Sequence, residues 1–265
     1  MKFGIQLYNF HELTQDLDGF ENVLKKVSDI GYHYVQVSGT CEFDAEWLKE
    51  KLEKYDLECV LTHTNVQKMS DDIEKVISDH NIFGADYIGI GGMPRLWNFD
   101  EFSNDDVVDK FIEDYTEIMK KIKASGKLLM YHNHDYEFAH LKNNQTMWDA
   151  LIERIPPELM GFTLDTYWIQ HGGKDPEKEI RRLKGRVPCV HFKDYEIVRM
   201  ARTERYFRYC PVGSGNLDWD GIIDACEFSG VKYILCEQDN SFGADPFELS
   251  KMSYDFLKSK GLKER

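Results

Sequence analysis

Short apolar runs alternate with longer amphipathic segments along this 265-residue chain. Eight runs stand out: FGIQLY (3–8), YVQVSG (34–39), CVLTHT (59–64), YIGIGG (87–92), LLMYHNH (128–134), GFTLDTY (161–167), CVHFKD (189–194) and YILCEQD (233–239). Each is too short for a helix and rich in Val, Ile, Leu and Tyr, as parallel strands buried on both faces are. The intervening segments have a helical period. LDGFENVLKKVSDIG spaces Phe20, Val23, Leu24, Val27 and Ile30 three or four residues apart and stops at Gly31. DAEWLKEKLEKYD, DDIEKVISDHNIFG and PFELSKMSYDFLKSKG read likewise. SNDDVVDKFIEDYTEIMKKIKASG is the longest, with acids in its first turn, lysines near its end and Gly126 after it, as the helix dipole favours. Strand–helix alternation of this length predicts an α/β fold, a (β/α)8 TIM barrel in a single domain over 1–265. Two connections are long, 93–104 and 195–218, and such connections often carry function.

In a barrel of this kind the working groups sit at the C-terminal strand ends. Those are the ends where this chain places its polar residues. The third run ends in His63 and the fifth in His132 and His134, with Glu137 just beyond. The sixth ends in Asp165, the seventh in His191, Lys193 and Asp194, and the eighth in Glu237 and Asp239. Strand alternation puts Thr163, Asp165 and Tyr167 on one face, Cys189, His191 and Lys193 on another, and His132 with His134. Carboxylates mixed with imidazoles suit one divalent ion, Mn²⁺, Mg²⁺, Co²⁺ or Zn²⁺, and a ligand set without cysteine argues against a structural zinc site. Blander roles exist for each residue: His191 as a core histidine, Asp165 as a helix cap, Glu237 as the partner of Lys193. Four consecutive strands ending in potential ligands point to a site.

Charge narrows the partners. Lys and Arg number 33 against 47 Asp and Glu, a formal charge of −14. Such a chain repels nucleic-acid phosphates and anionic lipid, so neither nucleic acid nor membrane is expected as a partner. No apolar run approaches membrane-spanning length, and MKFGIQLYNF has no secretory h-region. Six cysteines, none in a C-x-x-C pair, read as free thiols of a cytoplasmic protein. Arg199, Arg202, Arg205 and Arg208 form either a solvated face or a grip on an anionic substrate or acidic neighbour. Gly213 and Gly215 form either a plain turn or a backbone cradle for phosphate. Exposed aromatics in the long connections, Trp97, Tyr206 and Phe207, are candidates for a lid or a homo-oligomer interface.

The motifs YHNHDYEF, LDTYWIQHGGKDP, VHFKDY, VGSGNLDW and CEQD follow one another in the order and spacing of the sugar phosphate isomerase/epimerase family. Nearly the whole chain resembles this branch of the xylose-isomerase-like barrels, which also include inosose dehydratases and the endonuclease IV group. The resemblance implies a divalent metal held by Glu, Asp, His and Glu from strands five to eight. Asp165, His191 and Glu237 match the last three. Many relatives carry E-N-H where this chain reads H-N-H, so either His132 takes the first position or Glu137 reaches back to it, and Glu137 restores the carboxylate count. His134 is then a candidate base and His132 a supporting or substrate contact. The resemblance further implies substrate contacts from His63, Trp168 and Lys193.

The chemistry expected of such a site is metal-dependent isomerisation or epimerisation of a small carbohydrate or sugar phosphate. The metal polarises a carbonyl. His134 or a carboxylate, Glu137 or Glu237, removes the neighbouring proton to give an enediolate. Lys193 stabilises the developing charge. The alternative is elimination, a dehydratase or lyase acting on an inosose or oxo-sugar. A nuclease of the endonuclease IV type is disfavoured by the negative charge and the single metal set. A carbohydrate-binding barrel without chemistry is the remaining reading.

Overall fold

The computed structural model describes residues 1–98, 100–200 and 205–265. Its strands are β1 (Lys2–Gln6), β2 (Tyr34–Val37), β3 (Glu58–His63), β4 (Tyr87–Ile90), β5 (Leu128–His132), β6 (Met160–Asp165), β7 (Cys189–Phe192), β8 (Asp194–Arg199), β9 (Arg205–Cys210) and β10 (Tyr233–Cys236). Eight of them close into a parallel barrel in the order β1-β2-β3-β4-β5-β6-β7-β10, and β10 pairs back onto β1. These eight coincide with the apolar runs, so the expected TIM barrel is the fold observed.

The helices begin and end where the side chains dictate. Asp16 accepts from the Gly19 amide to open Leu17–Ile30, which ends at Gly31 with φ 118°. That helix buries Phe20, Val23, Leu24 and Val27, the periodic set. Ser103 and Asp106 form a reciprocal capping box at the start of Asn104–Ala124. Burying a side chain such as Leu24 or Phe20 stabilises by roughly 2 kcal/mol, which outweighs helix propensity in fixing these segments.

Two departures from the sequence reading matter for function. The connection 195–218 is not all loop: β8 and β9 pair antiparallel as a hairpin beyond the barrel. And β5, β6 and β7 stop at His132, Asp165 and Phe192, so His134 and Lys193 lie just past their strands and Tyr167 lies on the short helix Thr166–His171 instead of sharing a strand face with Thr163 and Asp165.

The barrel interior is layered by the two-residue period of its strands. Leu61, Met130, Cys189 and Leu235 touch in an apolar cluster separate from the main core, with Tyr34, Val60 and Tyr87. Two residues further along the same strands come His63, His132, His191 and Glu237. An apolar plug thus underlies a polar mouth.

Candidate functional site

The mouth gathers groups that hydrogen bonding alone does not satisfy. His132, Asp165, His191 and Glu237 come from the ends of β5, β6, β7 and β10. All four are buried, and one ligating atom from each lies within 4.8 Å of the others. Register accounts for part of this, because Asp165 pairs level with His191. His132 Nδ1, Asp165 Oδ2, His191 Nδ1 and Glu237 Oε2 are buried without hydrogen-bond partners.

One pair is especially informative. His191 Nε2 lies 2.6 Å from Gln36 Oε1, and His191 Nδ1 lies 2.7 Å from Glu237 Oε2. Either a proton or a cation is shared between those last two atoms. With a cation bound, Nδ1 would turn its lone pair to the ion and Nε2–H would donate to Gln36. The donor set fits a divalent metal, with Gln36 as the outer partner that orients the imidazole. The pairing of β2 with β3 shifts register between Val35 and Gln36, beside the residue that reaches across.

Asp165 combines two roles. Its Oδ1 accepts from the Trp168 amide at 2.8 Å and caps the helix, while Oδ2 faces the cluster. Asn133 holds the strand end by accepting from the Asp165 amide at 3.0 Å. Glu137 stands apart from the cluster: Oε1 accepts from Tyr131 Oη at 2.6 Å and Oε2 from the His134 amide at 2.9 Å. The structure thus groups His132, not Glu137, with Asp165, His191 and Glu237. The physical reason is the turn Tyr136–Phe138, which tucks the Glu137 carboxylate under the strand end. Tyr131 Oη in turn accepts from the Met93 amide at 3.2 Å, linking β5 to the loop that carries Trp97.

Burial sets the electrostatics. It drives His63 down to about 3 and His134 to about 4, and it places His132 well below the ordinary range, with His191 adding to it. These imidazoles are neutral near pH 7. Burial pushes Asp165 up, with Lys193 pulling back. Burial acts the same way on Glu237, but Lys193 and His191 prevail and hold it well below the carboxylate range. Burial raises Glu137 to about 7. Burial alone would discharge Lys193; Asp239, Glu237 and Asp165 together keep it protonated. Its Nζ lies 2.6 Å from Asp239 and 3.8 Å from both Asp165 and Glu237. The expected Glu237–Lys193 pair is therefore a longer contact, and Asp239 is the principal partner. Trp168 and Tyr209 flank the ammonium, each ring centre 5.0 Å away.

Above the cluster opens a cavity of ≈230 Å³, lined by Tyr8, Ser38, His63, Trp97, His132, His134, Lys193, Glu237 and Asp239. Ser38 Oγ meets His63 Nδ1 at 3.2 Å. Trp168, which does not itself line this space, packs on His134 at 5.3 Å between ring centres. A cavity of ≈330 Å³ at the opposite end of the barrel, by Glu58, Tyr87 and Tyr233, holds no metal-ligating cluster among the described residues.

Sequence reasoning missed Gln36, Ser38, Tyr8 and Tyr209. Gln36 had a signal, a lone amide inside YVQVSG. Tyr209 had none, since it reaches the site from β9. Gly213 and Gly215 make the plain turn, their amides donating to Asp194 Oδ2 at 3.0 and 2.9 Å. Arg208 pairs with Glu196, while Arg202 lies outside the described residues. Trp97, Tyr206 and Phe207 are exposed. All six cysteines are free, five of them buried. No helix among the described residues is long and apolar enough to cross a membrane.

Known proteins place this geometry in context. The chain is 22% identical over 278 residues to an inosose dehydratase of Mesomycoplasma hyopneumoniae (strain 7448), covering 94% of this chain and 90% of that one. Its fold is similar to a sugar phosphate isomerase/epimerase from Parabacteroides distasonis ATCC 8503, with TM-score 0.79, 20% identity and coverage of 97% and 93% of the two chains. It is also similar to the IolI protein with a bound zinc atom, with TM-score 0.68, 11% identity and 97% of each chain covered. The profile of the xylose isomerase-like TIM barrel family matches residues 24–260, and the chain belongs to that family.

Proposed function

We propose that this protein is a divalent-metal-dependent enzyme that moves a proton beside the carbonyl of a small carbohydrate, as an isomerase or epimerase working through an enediolate. The observation that carries the reading is the buried set of four unpartnered donors, His132, Asp165, His191 and Glu237, beneath a cavity walled by neutral imidazoles. Two nitrogens and two carboxylate oxygens suit Mn²⁺, Co²⁺ or Zn²⁺ better than Mg²⁺. An ion held there supplies Lewis acidity toward a carbonyl oxygen.

The chain's own residues do the rest. His134, neutral and wedged against Trp168, takes the proton as general base. Lys193 keeps a desolvated positive charge at the cavity wall, where negative charge develops. His63 and Trp168 position the sugar. Glu137 fixes the backbone of His134 instead of binding the ion.

Elimination is the second reading. Similarity to inosose dehydratases favours it. So does His132, which stands where many members of the resembled family carry a glutamate.

Metal content and product mass test both. Protein loaded with Mn²⁺, Co²⁺ or Zn²⁺ should hold about one ion per chain, and Asp165→Asn and His191→Ala should lose ion and turnover together. A metal-free variant with full activity would refute the scheme. Ketoses converted without change of mass indicate isomerisation or epimerisation; loss of water indicates elimination.

A further inference from the structure

The walls of the mouth say which carbohydrate fits, given the carbohydrate reading above. Among the described residues, Lys193 is the one cation lining the cavity. It is 1% exposed and already bound to Asp239. The nearby backbone amides that could cradle an anion, those of Gly213 and Gly215, are committed to Asp194. A phosphate dianion entering here would meet Glu237 and Asp239, and the single Lys193 charge, already shared among carboxylates, would not offset its two charges.

The cavity also has a neighbour. Tyr8 and Asp239 wall both this cavity and a second, adjacent cleft of ≈360 Å³. The charged walls of that cleft, Glu12 and Asp239, are both acidic. Its other features suit hydroxyls and a pyranose face. Asn240 and Ser241 line it, and Tyr8 stacks on His11 with ring centres 4.5 Å apart and planes 14° apart.

We propose that this cleft is an outer subsite for a second, uncharged sugar ring or aglycone, so that the substrate is a neutral glycoside and not a sugar phosphate. The reacting ring sits over the metal-ligating cluster. The second group extends past Tyr8 against the stacked Tyr8–His11 pair, and its hydroxyls bond to Asn240 and Ser241.

The test is calorimetric titration of the metal-loaded protein with gluco-, galacto- and manno-configured single sugars, their 6-phosphates and their disaccharides. At least one disaccharide should bind about tenfold tighter than its single ring, and each phosphate more weakly than its parent sugar. Ser241→Trp, which fills the cleft, should erase the disaccharide advantage and leave single-ring binding unchanged. His11→Ala, which removes one ring of that stacked pair from the cleft wall, should weaken the disaccharide alone. A phosphate ester that binds more tightly than its parent sugar overturns the proposal, as does a panel in which no disaccharide gains over its single ring; single-ring binding would then still support the metal-dependent reading. Metal retained with no binding across the panel overturns both.

Discussion

The carboxylate of Glu137 already accepts two hydrogen bonds, from Tyr131 and the His134 amide, so it has little to gain from a metal. His132 Nδ1 has no partner at all. Glu137→Gln should therefore keep the ion, while His132→Ala should weaken metal binding about tenfold or more; competition against a chelator measures both. The sequence left this choice open because H-N-H and the nearby glutamate are five residues apart and both are plausible donors. The carboxylate count favoured Glu137, and the turn at Tyr136–Phe138, which the sequence did not reveal, takes that side chain away from the cluster. Another single residue sets an acid limit. His80 is buried, its Nδ1–H donating to Val76 O and its Nε2 facing Thr62 Oγ1, and burial pushes it down to about 4 from the ordinary 6.5. Between those values the unfolded chain binds a proton that the folded one refuses, so stability falls as pH drops from 6.5 toward 4. The full effect is roughly 3 kcal/mol. Urea unfolding at pH 7 and pH 5 should show a smaller acid loss in His80→Asn than in the wild type.

Among the elements, the β8–β9 hairpin was the least legible. A two-stranded ribbon outside the barrel has no fully buried face, so it writes no apolar run; Ile197 and Phe207 are both 47% exposed. Yet the hairpin delivers Tyr209 to the lysine and packs Phe207 on His171 at 5.7 Å. Its base is fastened by Asp194, which is fully buried. That carboxylate accepts from the amides of Gly213 and Gly215 and from the Trp219 indole at 2.7 Å. Gly213 has φ 88°, and a Cβ there would meet the Phe256 ring at 2.3 Å. Asp194→Ala strands several buried donors and should cost about 3 kcal/mol in urea unfolding. It should also detach Tyr209 from the site, visible as faster amide exchange along β9.

At the scale of the molecule, the barrel was readable because parallel strands buried on both faces must be apolar throughout, which makes every polar residue at a strand end conspicuous. His63, Asp165, His191 and Glu237 were found that way. What the period could not supply was cross-barrel contact, such as Gln36 of β2 reaching His191 of β7. The apolar plug has a mechanical role under that mouth. Leu235→Ala, at a position with no exposure, should lower stability by about 3 kcal/mol. It should also weaken metal binding, because Glu237 is carried by the same strand, and thermal unfolding with and without added metal separates the two effects.

The chain of bonds from the Met93 amide through Tyr131 to Glu137 and back to the His134 amide has a dynamic consequence. The Trp97 loop and the His134 imidazole are two walls of one cavity, about forty residues apart in sequence, and they share a single buried anchor. Under the proposed function they should behave as one degree of freedom instead of two, with admission of the sugar and alignment of the proton acceptor coupled in a single motion. Tyr131→Phe cuts the chain at its middle, and relaxation-dispersion spectra of the Trp97 indole and the His134 amide, matched in exchange rate in the wild type, should then diverge.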